Sequence, residues 1–200
     1  MSEQNKKYEG SLLEYQKKNK AKIEDFISEY LDGDMKKLAL DFVAHMRENK
    51  MTLRWAGFTN AWKAVCKGRC ICYINLSWGD VKWLVTPYLE NINDYEGSII
   101  SESLQDFVLD NVIYCCHADK YERPEGSPPV KHFGLNYPCN LWNCAPGADI
   151  IVCGKEIKNK CRNGNRRFYW FKNPGAEEIE AVKKLLDFEK KARTKNTGKI

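Results

Sequence analysis

Thiols and imidazoles are the side chains in this chain best suited to hold a metal, and most of them are gathered in one stretch. Six of the nine cysteines and two of the three histidines lie between Cys115 and Cys161. Tetrahedral zinc takes four ligands, mostly thiolates or imidazoles, and structural sites commonly draw two from one short-spaced pair. Cys139 and Cys144, in CNLWNC, have four residues between them, at the upper end of that spacing. Pro138 before them and Pro146-Gly147 after them suit a knuckle-like turn, and Cys161 in NKCRNGN precedes a glycine turn. The fourth ligand must then come from Cys115, Cys116 or His117. Cys115 continues the apolar face of a helix expected before it, whereas Cys116 is off that face and freer to reach a metal. The expected zinc set is therefore Cys116, Cys139, Cys144 and Cys161, with Cys115 and His117 as substitutes. Four thiolates leave no open coordination position, so such a zinc would be structural. The alternative is a group of unrelated reduced thiols. Cys153 follows Ile151 in strand alternation and reads as core.

The surrounding composition limits the setting. An odd number of cysteines argues against complete disulfide pairing. The first ten residues, MSEQNKKYEG, lack the apolar middle of a signal peptide. No apolar run approaches the roughly 18 residues of a membrane span. A cytoplasmic protein with no membrane partner is expected, where disulfides rarely persist. The net charge of +5 is mild and is concentrated in the lysines between Lys6 and Lys22 and in the stretch from Lys190 to Lys199. Such runs usually form solvated faces or frayed ends.

The elements that must position these residues follow from periodicity. Residues 1–18 read as a poorly ordered or loosely helical N-terminal segment. Residues 19–193 read as a single α+β domain with a Cys-rich loop at 115–161, and 194–200 as a flexible tail. Ile23, Phe26, Ile27, Tyr30 and Leu31 repeat at helical spacing. A second helix runs to about Asn49 with Leu38, Phe42 and Met46 on one face, and Asp34 is placed to cap it. From Met51 the period becomes two: Met51, Leu53 and Trp55, then Trp62, Ala64 and Cys66, then Cys70, Cys72, Ile74 and Leu76, then Val81, Trp83 and Val85. Lys67-Gly68-Arg69 reads as a hairpin connection. This is an antiparallel meander with one face toward a core. Cys66, Cys70 and Cys72 are expected on one face as small buried side chains. A third helix is expected over about Ile99–Tyr114, and strands over 149–153 and 167–171. At the end, Asn173 is expected to cap, with Pro174 at the first helical position and Ile179, Val182, Leu185 and Leu186 as a buried stripe. The fold expected is α+β: an antiparallel sheet of about five strands, helices mainly on one face, an N-terminal helical pair and a C-terminal helix.

Several stretches together resemble an uncharacterised bacterial α+β domain family. They are LALDFVAHMRENKM, the N-x-W-K and K-G-x-x-x-C-Y-I pieces of NAWKAVCKGRCICYI, CAPG with the downstream GKE, and RFYWFKNPGAEEIEAVKKLL. The resemblance spans about residues 38–190 and implies no activity. The cysteines that fit its pattern are those near CCH, CAPG and NKC.

Three functional readings compete. The first is a binding or regulatory domain of unknown small-molecule or protein ligand, stabilised by structural zinc. Its ligand face would be aromatic, around Trp55, Trp62 and Trp83, unless these indoles fill the core. The second is nucleic-acid binding by the basic aromatic segment 155–172, through Lys155, Lys158, Lys160, Arg162, Arg166 and Arg167. Cations beside aromatics are what single-strand binders use. The third is an enzyme, but no phosphate-cradling loop, H-E-x-x-H or G-x-S-x-G is present, and a non-enzyme is expected.

Overall fold

A computed structural model describes residues 11–19, 21–78, 80–113, 148–160 and 169–196. Three helices lead the chain: α1 (Leu12–Asn19), α2 (Ile23–Tyr30) and α3 (Gly33–Glu48). Strands β1 (Thr52–Trp55), β2 (Ala61–Cys66), β3 (Arg69–Trp78) and β4 (Val81–Pro87) follow as an antiparallel meander. A 3-10 turn at Ile92–Tyr95 leads into α4 (Glu96–Ser101) and α5 (Gln105–Asp110). Beyond them come β5 (Ala148–Val152), β6 (Lys155–Lys160), β7 (Phe171–Lys172) and the long α6 (Ala176–Asn196). The main sheet has the order β1-β2-β3-β4-β7, and β5 and β6 form a separate hairpin. The α+β architecture with five antiparallel strands and a closing helix is the one expected from periodicity.

Helices α2, α3 and α6 cover one face of the sheet. Trp62, Ala64, Cys72, Ile74, Trp83, Val85 and Phe171 project into that layer and are at most 1 % exposed. They meet Phe26, Ile27, Phe42, Met46, Ile179, Val182, Leu185 and Leu186, all buried. Full burial of one such side chain stabilises by about 1.5–3 kcal/mol, so this layer dominates the fold.

Several local expectations need correction. The helix expected over Ile99–Tyr114 is two short helices, because Ser103 has a φ of 56° and breaks the backbone between them. Ile100, within the expected helix, is 48 % exposed, while Ile99 and Val108 are buried. Of the two alternatives for the N-terminal segment, Leu12–Asn19 take the helical one, and Gln16 of α1 is fully buried and exchanges two hydrogen bonds with Asn60, at 2.8 and 2.9 Å. Asp34 lies inside the first turn of α3 beside Lys37, and the residue preceding that helix is Asp32. Asn173 does not cap α6. Its side-chain oxygen accepts from the Trp83 amide at 3.1 Å, and Glu178 reaches back to the Gly175 amide at 2.9 Å instead. That reach-back satisfies an amide that a helix start leaves open.

Cys66, Cys70 and Cys72 do not share a face. Ala64 pairs with Cys72 but Val65 pairs with Cys70, so Ile71 is an extra residue on β3. This bulge buries both Ile71 and Cys72 and turns Cys70 to the opposite side, where it is half-buried.

Candidate functional site: the basic face of the sheet

Side chains alternate across a strand, so the residues between the core positions point away from the helices. On β1 these are Thr52 and Arg54, on β2 Lys63 and Val65, on β3 Cys70, Tyr73 and Asn75. The cross-strand register aligns Arg54 with Lys63, Lys63 with Tyr73, and Tyr73 with Thr86. A second row runs Ala61, Asn75, Leu84 and Lys172. Leu84 and Thr86 are buried at 2 % and 5 %, so this face is covered at β4, between β1–β3 on one side and the exposed Lys172 of β7 on the other. Arg54 is exposed, and Lys63 and Tyr73 are half-buried.

The charge on these strands is one-sided. The five described strands of the sheet contain Arg54, Lys63, Arg69, Lys82 and Lys172 and no Asp or Glu. Arg69 pairs with Glu90 and Lys82 lies 3.9 Å from Asp32. Among the described residues, Arg54 and Lys63 form no ion pair, although they stand directly opposite each other. Like charges so placed destabilise a sheet, by about a few tenths of a kcal/mol. Edge strands commonly carry a charge that blocks pairing with other chains, which accounts for Arg54. It does not account for Lys63, which stands on the second strand.

Tyr73 completes the row. Its hydroxyl donates to the Cys70 thiol, and burial pushes the pKa of both groups up, with the hydrogen bond and neighbouring charges contributing less. The Cys70 thiol also points at the Cys72 carbonyl, 3.6 Å away. At neutral pH this pair is therefore a protonated brace for the ring rather than a nucleophile.

The residues singled out from sequence fall elsewhere. Trp62 and Trp83 are 1 % and 0 % exposed, so they fill the core and present no ligand face. For these two the core alternative holds, which strand alternation alone leaves open because it does not say which side is covered. Trp55 is half-buried, and its indole donates to the Phe58 carbonyl at 2.9 Å. In the basic segment, Lys158 is held by Asp149 and Glu156, and those carboxylates push its pKa up. Lys160 is 1 % exposed and lies 4.1 Å above the centre of the buried Tyr169 ring. Lys155 is exposed at the start of β6. Arg162, Arg166 and Arg167 lie outside the described residues, as do Cys115, Cys116, His117, Cys139, Cys144 and Cys161. Among the described residues no group of three His, Cys, Asp or Glu could hold a metal ion, and no helix is long and apolar enough to cross a membrane.

Arg54, Lys63 and Tyr73 were not found by motif reading. A signal was present: between Thr52 and Pro87 the only acidic residue is Asp80, against Arg54, Lys63, Lys67, Arg69 and Lys82. No family model, curated protein or solved structure matches the chain, so its function has to be read from this geometry.

Proposed function

We propose that this chain is a binding domain that docks an anionic partner on the face of the sheet turned away from the helices. The observation that carries this reading is the directly opposed pair Arg54 and Lys63, which has no ion-pair partner among the described residues and stands on strands that contain no carboxylate. An arrangement that costs stability in the free protein gains it when an anion is present, because binding to the folded state alone stabilises that state. Structural zinc held by Cys116, Cys139, Cys144 and Cys161 belongs to the same reading, supported by ligand type and spacing.

The second reading, nucleic-acid binding through 155–172, has less support. Of its four described cations, Lys158 is already neutralised by two carboxylates and Lys160 is buried.

The test is thermal unfolding with and without soluble polyanions (heparin, polyglutamate and polyphosphate) for wild type and the double variant Arg54→Gln, Lys63→Gln. At least one polyanion should raise the wild-type midpoint by several degrees and leave the double variant unmoved. Equal shifts in both proteins, or no shift in wild type, would refute docking on this face.

A further inference from the structure

We infer that the anionic partner is single-stranded nucleic acid, its backbone lying on Arg54 and Lys63 and a base stacking on the Tyr73 ring. This rests on the docking face proposed above and names what occupies it.

The first support is the order of groups along one row. Two cations on neighbouring strands are followed on the third strand by an aromatic ring, Lys63 being the direct partner of both Arg54 and Tyr73. Neighbouring strands are about 4.8 Å apart, so the row spans roughly 10 Å from Arg54 to Tyr73. That is the reach between a backbone phosphate and the outer edge of its own unpaired base. Proteins that bind single strands combine a basic track with aromatic faces, because stacking is available to every base and phosphate to every nucleotide.

The second support is a further ring at the end of the same hairpin. Phe58, at the tip of the β1–β2 loop, is 70 % exposed, the most exposed of the large apolar side chains described. Its loop is built to hold it still. The Ala56 amide donates to the Ala61 carbonyl at 2.9 Å, and the Trp55 indole donates to Phe58 itself. Asn60 takes a left-handed φ of 55° and is locked by Gln16 beneath the loop, and its carbonyl accepts from the Leu76 amide at 2.9 Å. The loop thus holds a bare phenyl ring in water at the tip of the hairpin whose strands carry Arg54 and Lys63, and offers a second surface for stacking.

The shape of the face separates this ligand from its rivals. Reading a duplex takes a helix or ribbon that projects into a groove, and this surface is the broad side of a sheet. An acidic peptide would be satisfied by the cations and would have no use for the rings. Exposed bases use both.

The experiment is fluorescence anisotropy on the full chain at low salt. Four labelled probes are compared: a twelve-nucleotide oligouridylate, a mixed-sequence DNA strand of equal length, the corresponding duplex, and polyglutamate. The single strands should bind at least tenfold more tightly than the duplex and polyglutamate. Arg54→Gln with Lys63→Gln should weaken single-strand binding at least tenfold. It should also flatten the dependence of log affinity on log salt by about 1.4, at about 0.7 per lost phosphate contact. Tyr73→Leu and Phe58→Ala should each weaken binding severalfold and leave that salt slope unchanged. Tyr73→Phe, which keeps the ring, should bind as wild type and thereby separates stacking from damage to the fold. If polyglutamate or duplex binds as tightly as the single strands and the double variant loses it, the ligand assignment is wrong and the docking face stands. If no probe binds wild type, or the double variant binds as wild type does, both are wrong.

Discussion

Glu189 shows how a single residue can tie several segments together. It is fully buried on α6, and its carboxylate accepts from the Asn91 amide at 3.0 Å, the Asn91 side chain at 2.8 Å, the Tyr95 hydroxyl at 2.9 Å and the Arg193 guanidinium at 2.7 Å. Arg193, itself 5 % exposed, passes on to the Cys70 and Tyr88 carbonyls at 2.9 and 3.0 Å. One ion pair thus fastens the last helix to the ends of two strands and to the turn before α4. Glu189→Gln removes the carboxylate closest to Arg193 among the described residues, Glu90 being 3.6 Å away, and should cost about 3 kcal/mol in urea unfolding, as breaking a buried pair does. A loss below about 1 kcal/mol, the range of exposed pairs, would show that the pair is not effectively buried. None of this was legible in the sequence. Glu189 and Arg193 sit in a run of charges that reads as a solvated helix end, and their partners lie about a hundred positions away. For Trp62 and Trp83 the two alternatives, ligand face or core, needed the structure to separate them, because residue type alone does not distinguish an indole in the core from one on a binding face.

At the scale of elements, legibility followed the strength of the apolar period. The stripe Ile179, Val182, Leu185 and Leu186 of α6 is buried throughout, as its spacing implies. The four-strand meander was readable because apolar residues recur at every second position along most of its length, and the expectation failed only where the bulge at Ile71 breaks that period. Strand β6, Lys155–Lys160, escaped notice because it is mostly charged and only Ile157 marks its inner face. Its hairpin with β5 buries Val152, Cys153 and Ile157 in the core, and at its turn the Gly154 amide donates to Glu96 at 2.7 Å. The break between α4 and α5 was equally hidden, since Ser103 carries no residue-type signal for a left-handed backbone. The zinc expectation belongs to this scale, because it concerns what would order the Cys-rich stretch 115–161. Protein purified without chelator should carry about one zinc per chain, and Cys139→Ser or Cys144→Ser should abolish it. Folded wild-type protein free of metal would refute that site.

Taken whole, the molecule stores its acid–base chemistry inside. Burial raises the pKa of the thiols Cys70, Cys72 and Cys153 and, foremost among their causes, that of the phenols Tyr73, Tyr95 and Tyr169. Each group holds its proton more tightly folded than unfolded. The stability this gives is complete below the ordinary values of 9.0 and 10.0 and is lost as pH rises through them toward the folded values. The urea midpoint should therefore stay flat from about pH 7 to about pH 8.5 and fall steeply above it. A midpoint unchanged at about pH 10.5 would mean that these groups are not buried in solution. The bulge at Ile71 has a last consequence, for how the gene can vary. It is a residue of β3 that the ladder can spare: without it Cys72 would follow Cys70 in plain alternation, so Tyr73 would keep its side and Ile74 its place in the core. Deleting a neighbour such as Ile74 would instead turn over every later side chain of the strand, so this strand tolerates a change of count at the bulge far better than beside it.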